Sequence, residues 1–246
     1  IHDPNKENTI SSNHIETLLL DKQGSLWIGT SDRGLDRLET ESGIFRHYRF
    51  DPEDSSSIST DYILSIFEDS RGTLWVGGWG GGLNQFDDQN QKFVRYTHDS
   101  ENPHSICDDI VNSIHESESG GQPILWIGTS GGLSYMNLQD SIPGYFHHIF
   151  EEDGLPNQHI YGIIEDNESN LWMSTNNGLT KFTPPMKFKN YDSGDGLPGN
   201  EFSGGAYYKS QDGQFYFGCP AGFITFRPES IIDNRYIPPV VITAFK

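Results

Sequence analysis

Apolar and polar residues alternate along most of the chain in short runs, the period-two pattern of strands half-buried in a sheet. The runs come in groups of four. The first of a group, strand a, is His14 to Leu20 and again Tyr62 to Glu68. A tight turn follows, Asp21-Lys22-Gln23-Gly24 and Asp69-Ser70-Arg71-Gly72, whose glycine can take the positive φ that a short hairpin needs. Strand b is a Leu-Trp-Ile-Gly run. A Gly-rich turn (Arg33-Gly34, Gly80-Gly81-Gly82, Gly131-Gly132, Asn177-Gly178, Gly222) leads to strand c, which runs from Leu35, Leu83, Leu133, Leu179 and Phe223. Strand d begins at Phe45, Phe93, Phe146 and Phe188, and the fifth group has no clear copy of it.

The groups are copies of one unit. The aromatic of strand b recurs at Trp27, Trp75, Trp126, Trp172 and Tyr216, a spacing of 44 to 51 residues read directly from the sequence. Four-stranded meanders repeating at that period are blades of a β-propeller. The expected fold is therefore all-β, a propeller of about five blades, as a closed ring or as an open arc of a larger ring. Residues 1–228 hold the blades, with units at about 9–50, 51–98, 99–150, 151–191 and 192–228; residues 229–246 are expected to be a linker and the start of a further β-domain. A column of small residues in strand a (Thr17, Ser65, Ser113, Gly162, Gly204) fits innermost strands crowded round a channel. The tryptophans are expected to wedge between neighbouring blades. Unit three carries extra residues in its a–b turn between Ser117 and Pro123, and unit four has Ser169 where glycine is expected, which weakens that turn.

Composition narrows the function. The 246 residues carry 16 Lys+Arg against 35 Asp+Glu, a net charge of −19 that repels phosphate backbones and makes nucleic acid and anionic membranes poor partners. No apolar stretch is long enough to span a bilayer, and the opening Ile1-His2-Asp3-Pro4 is not a signal peptide; the chain reads as a piece of something longer. The two cysteines, Cys107 and Cys219, lie far apart and are expected to be buried thiols.

The unit Ile-x-x-Ile-x-Glu-Asp-x-x-Gly-x-Leu-Trp-Ile-Gly-Thr-x-x-Gly-Gly-Leu resembles the two-component regulator propeller repeat of the extracytoplasmic sensor region of bacterial hybrid histidine kinases, common in Bacteroides-type bacteria. The connections Asp51-Pro52 to Ser56-Ser57-Ile58-Ser59 and Asp153-Gly154-Leu155-Pro156-Asn157, echoed at Asp195-Gly196-Leu197-Pro198, resemble it too. The resemblance implies a periplasmic sensor fragment, many of whose relatives respond to oligosaccharides in polysaccharide use. It implies partners in the same receptor: further blades and an immunoglobulin-like domain, with kinase parts absent from this chain. An open arc would also leave edges and Trp-lined faces free for self-association. An assembly module without ligand is the alternative, and a carbohydrate-active enzyme a more distant one.

In an up-and-down blade the b–c turns and d–a connections share one rim, and long variable loops are where binding residues concentrate. At the start of strand a one aligned column reads Asn13, Asp61, Asp109, Gln158, Asn200, and the next His14, Tyr62, Ile110, His159, Glu201. Such amides, carboxylates and rings suit sugar hydroxyls or another small polar ligand, although Asn and Asp also cap loops by bonding local backbone. Trp79, set among glycines in the b–c turn, offers an apolar plate to a pyranose face. Arg33 holds the corresponding turn of unit one. No catalytic motif, metal-ligand spacing or cofactor motif stands out: His98, Asp99 and His104 lack ligand spacing, and His147 and His148 point to opposite faces of a strand.

Overall fold

The computed structural model of the chain describes residues 1–3, 5, 6 and 8–231. Five antiparallel meanders follow one another. Blade one comprises β1 (Ile15–Leu20), β2 (Ser25–Thr30), β3 (Leu35–Glu39) and β4 (Ile44–Tyr48); blade two comprises β5 (Ile63–Glu68), β6 (Leu74–Gly78), β7 (Leu83–Asp87) and β8 (Lys92–Tyr96). Blade three holds β9 (Val111–Ser119), β10 (Gln122–Thr129), β11 (Leu133–Asn137) and β12 (His147–Ile149); blade four holds β13 (Ile160–Glu165), β14 (Leu171–Thr175), β15 (Gly178–Thr183) and β16 (Lys187–Tyr191). Blade five has three strands among the described residues, β17 (Tyr207–Lys209), β18 (Phe215–Cys219) and β19 (Gly222–Phe226). The fold is a β-propeller of five blades. The expected linker and further domain lie, from residue 232 onward, outside the described residues.

One buried carboxylate builds the a–b hairpin in blades one, two and four. Asp21 Oδ1 accepts the backbone N–H groups of Gln23 and Ser25, while its Oδ2 accepts the indole N–H of Trp27 at 2.8 Å. Asp69 does the same for Trp75 at 3.1 Å, and Asp166 for Trp172 at 2.9 Å. The Asp of the turn and the Trp six residues further on in strand b are therefore one device. Where the device changes, it changes in both halves or finds a substitute. Tyr216 stands with Ser210 in blade five, and in blade three Ser117 Oγ takes over as acceptor for Trp126 at 2.8 Å. Two local expectations need correction. The extra residues of unit three do not make a longer turn; they lengthen both strands to Ser119 and Gln122, closed by Gly120 and Gly121 at positive φ. Ser169 keeps the tight turn by taking φ 60° itself, a left-handed conformation that costs a non-glycine residue some strain.

Each Trp then packs on the following blade. Trp27 joins Ile63, Leu74, Val76, Phe86 and Phe93; Trp75 joins Val111, Ile114, Leu125 and Ile127; Trp126 joins Ile160, Ile163, Leu171 and Met173. Trp172 joins Phe202, Phe215 and Phe217. All four rings are at most 4% exposed. The small column has a more specific cause than crowding at a channel. Thr17, Ser65 and Ser113 lie opposite Gly29, Gly77 and Gly128 in the ladder, and in blade four the order reverses to Gly162 opposite Ser174. The shallow notch so formed receives the first strand-a residue of the next blade: a Cβ on Gly77 would strike both Ser65 and Val111, and one on Gly29 would strike Ile63. A second clasp crosses at the opposite rim. Glu68 accepts from the backbone N–H of Lys22 at 2.8 Å, and Glu116 from that of Ser70 at 2.5 Å.

Innermost strands contact their successors, β1 on β5, β5 on β9, β9 on β13 and β13 on β17, but no comparable contact joins β17 back to β1 among the described residues. Among the described residues the junction between blades five and one is therefore the open one. Ile15 is 46% exposed whereas its counterparts Ile63, Val111 and Ile160 are 0% exposed, and Tyr208, Tyr216 and Phe223 lie uncovered on blade five. Cys219 is buried and Cys107 half-buried, both free thiols; Cys107 Sγ lies 3.0 Å from Ser134 Oγ.

Candidate functional site

The rim carrying the expected site is assembled by backbone hydrogen bonds. Within a blade, the b–c turn is tied to the start of strand a: Ser31 N–H to His14 C=O, Trp79 N–H to Tyr62 C=O, Ser130 N–H to Ile110 C=O. Between blades, Gly34 N–H donates to Asp61 C=O, Gly82 N–H to Asp109 C=O and Gly178 N–H to Asn200 C=O, each at 2.7–2.8 Å. A buried polar side chain on strand c pins the approach to strand a from below. Asp36, Asn84 and Ser134 accept from the backbone N–H groups of Ser11, Ser59 and Cys107. The bonds between blades tie the rim of blade one to two, of two to three and of four to five.

The first polar column closes loops. Asn13, Asp61, Asp109 and Asn200 use Oδ1 to accept a backbone N–H from the beginning of their own connection, respectively His2, Phe50, His98 and Ser193, at 2.7–2.9 Å. Gln158 departs from the column and is exposed. The connections themselves follow two templates. Those before blades one to three are closed by a Thr or Ser hydroxyl taking the N–H of Asp3, Asp51 and Asp99. Those before blades four and five contain short 3-10 turns, Glu151–Asp153 and Ser193–Asp195, each ended by a left-handed glycine. Sequence variety in these loops hides shared construction.

The second column and the b–c turns carry the exposed chemistry. Trp79 is 54% exposed and stacks on Tyr62, with ring centroids 5.9 Å apart and planes at 19°. Glycines at 78 and 80–82 leave the plate free of flanking side chains. Thr60 Oγ1 donates to Trp79 C=O at 3.2 Å and fixes the turn. In blade one His14 Nδ1 lies 3.7 Å from Asp32, and Arg33 projects from the same turn. The Ser12 hydroxyl, with His14 and Arg33 nearby, holds Asp32 below its ordinary pKa. Between blades three and four His159 Nε2 meets Ser130 Oγ at 3.4 Å and its ring lies 4.5 Å from Tyr161, whose hydroxyl donates to Asn176 at 2.8 Å. Burial lowers the pKa of His159, more than Asp108 raises it, so the imidazole is neutral near pH 7 and offers one donor and one acceptor. Glu201 is exposed beside the buried Phe202. Ser130, Asn176 and Asp32 escaped the sequence reading. They stand in the b–c turns of blades three, four and one, at the place Trp79 holds in blade two.

The description "Two component regulator propeller" matches residues 9–32, 57–80 and 154–177, each ending in a b–c turn and each containing an Asp–Trp device. In these three stretches the chain is similar to two-component regulator propeller repeats. Over 99 residues, 39% of the chain, these repeats are 36% identical to Histidine kinase P4 of Formosa agariphila, of which they cover 7%. The extracellular domain of a hybrid two-component system of B. thetaiotaomicron is similar over 95% of the chain and 36% of its own length, at 26% identity and a TM-score of 0.68. A second B. thetaiotaomicron extracellular domain, of a one-component system, aligns over 90% of the chain and 30% of its own length at 24% identity and a TM-score of 0.74. The repeats thus span about a third of these extracellular domains. Among the described residues no helix is long and apolar enough to cross a membrane.

Proposed function

We propose that these repeats form part of the periplasmic, non-catalytic ligand-sensing region of a hybrid two-component receptor whose signal is an oligosaccharide. The extracellular two-component domains of like fold support the setting. The observation that carries the ligand class is Trp79, a half-exposed indole braced by Tyr62 and unobstructed by neighbouring side chains. An apolar plate takes the C–H face of a pyranose, while the neutral His159, Gln158, His14 and Glu201 supply directional partners for hydroxyls. The loop-closing oxygens of Asn13, Asp61, Asp109 and Asn200 hold this surface in shape, and Arg33 adds a cation at its edge. Signalling follows when the sugar prefers one arrangement of the receptor over another. Titration of the chain against a glycan panel tests the reading. A responsive sugar should bind at least tenfold more weakly to Trp79→Ala, with unchanged thermal stability; sugar binding indifferent to Trp79→Ala and His159→Ala removes this rim as the site.

A second reading rests on the exposed ends of the blade set. Ile15, Leu18 and Leu20 on blade one and Tyr216 and Phe223 on blade five leave apolar faces uncovered. In the receptor these faces pack on its remaining blades, with an immunoglobulin-like domain following, and in the isolated chain they drive self-association. Sedimentation over a wide concentration range tests this: a strictly monomeric species rules out association through the ends.

A further inference from the structure

The loop-closing column does one job with two chemistries. Asn13 and Asn200 close their loops with a neutral amide oxygen, Asp61 and Asp109 with a carboxylate oxygen, all at 2.7–2.9 Å. Closure needs one acceptor and no charge, so it does not account for the negative charge at 61 and 109. Both charged copies flank a single turn. Asp61 directly precedes Tyr62, on which Trp79 stacks, and Asp109 C=O accepts from Gly82 N–H at the far end of the Trp79 turn at 2.8 Å. Among the described residues each carboxylate is engaged through Oδ1 alone, which leaves Oδ2 as an acceptor on a half-buried side chain.

Little nearby neutralises them. The connections at 97–109, 150–158 and 192–201 hold four, three and three Asp or Glu residues and no Lys or Arg. The b–c turns at 78–82, 130–132 and 176–177 carry no charge at all. Arg33 stands on the blade-one side. Arg49 turns to Asp36 at 3.6 Å and to Tyr48 C=O at 3.3 Å, and Arg95 is spent on the carbonyls of Asp54 and Ser57. A rim of one sign concentrates cations and repels anions.

We infer that the sugar taken by this rim carries a free amine: a glucosamine-type oligosaccharide whose pyranose face lies on Trp79 and whose ammonium group donates to the outer oxygens of Asp61 and Asp109. The inference rests on the rim being the sugar site and adds its selectivity for charge. An ammonium has three donors and no acceptor, which suits two carboxylate oxygens, and each such bond is charge-assisted. Uronates and sulfated sugars bring negative charge to the same place and are repelled.

The probes are the glucosamine trimer and its fully N-acetylated counterpart, one backbone with and without charge. Both are titrated calorimetrically into the intact 246-residue protein at about pH 6, where the amines are protonated and the carboxylates ionised. At about 20 mM salt the amine trimer should bind about tenfold more tightly, and the ratio should shrink severalfold at about 500 mM. Asp61→Asn combined with Asp109→Asn keeps both loop-closing oxygens, as Asn13 and Asn200 do in the same column, and should bring the two trimers within about threefold of each other at an unchanged melting temperature. Equal binding of the two trimers, tighter binding of the N-acetylated one, or no binding of the amine trimer overturns the inference and leaves the rim as a site for neutral sugars. A preference that salt or the double substitution does not reduce overturns it as well. So does spermidine binding as tightly as the amine trimer, because the sugar face would then contribute nothing. Trimer binding that Trp79→Ala leaves unchanged is a different failure, and removes the rim itself as the site. The salt series needs the wild-type chain alone, so a variant that does not fold leaves the inference exposed to refutation.

Discussion

Removing one carboxylate from a hairpin should unseat a tryptophan six residues away. Asp69 is 0% exposed and accepts from Arg71 N–H at 3.0 Å, Thr73 N–H at 2.8 Å and Trp75 Nε1 at 3.1 Å. Asp69→Ala leaves the indole donor inside a core where Trp75 is 2% exposed, and strips the turn of its organiser. An unmet buried donor costs about 1–3 kcal/mol, and hydrogen bonds to a charged group carry about 1.5–3 kcal/mol. Arg71, whose guanidinium lies 3.1 Å from the carboxylate, is half-exposed and can return to water, so it adds little. The expected loss is about 3–5 kcal/mol. Urea unfolding followed by tryptophan fluorescence and by circular dichroism measures it, and a double-mutant cycle with Trp75→Phe should return a coupling of about 1.5–3 kcal/mol. Asp69→Ser should recover part of the loss, since Ser117 already serves Trp126 in blade three. A cost below about 1 kcal/mol, or a coupling near zero, would refute the claim that turn and ring are one device.

Gly77→Ala puts a methyl into the notch between Ser65 and Val111 and should cost about 1–3 kcal/mol by the same unfolding assay. Ile63→Ala should cost about 2–4 kcal/mol, as a large-to-small change in a blade junction, whereas Ile15→Ala, the same column on the uncovered face, should stay within about 0.5 kcal/mol; equal costs would mean the first face is covered in solution. Burial lowers the pKa of His148 and His159 below the ordinary 6.5, so the unfolded chain binds these protons first. Stability is then complete above about pH 6.5 and falls as pH drops below it. His148→Gln should flatten that limb. A second fall belongs to Asp166, where burial raises the pKa but the hydrogen bonds from Trp172, Asn170 and Glu168 outweigh it and leave it below 3.8. Its contribution is lost as pH falls through that lower range, and thermal melts from pH 8 to 3 should resolve the two steps.

Much of this was written locally. Period-two runs, Asp-x-x-Gly turns and five evenly spaced aromatics define strands, hairpins and blades, because each depends on residues within a few positions of one another. Of the candidate rim, one feature was legible in the sequence. Trp79 stood out by its glycine neighbours, and its exposure follows from the short turn that carries it. The roles of Asn13, Asp61, Asp109 and Asn200 were not, since an oxygen that closes a loop over 7 or 11 residues looks the same in sequence as one turned to solvent.

By itself the sequence determined the unit, its strands, its number of copies and the rim where its variable turns gather. Only the tertiary structure decided how units meet: that Gly29 and Gly77 are notches for the next blade's Ile63 and Val111, that Glu68 and Glu116 clasp the preceding turn, and that Ile15 and Tyr216 stay exposed among the described residues. The reason is range. A hairpin is specified by bonds that close within it, but a junction is specified by side chains some 46 residues apart, such as Ser70 and Glu116, whose pairing exists only once two blades stand side by side.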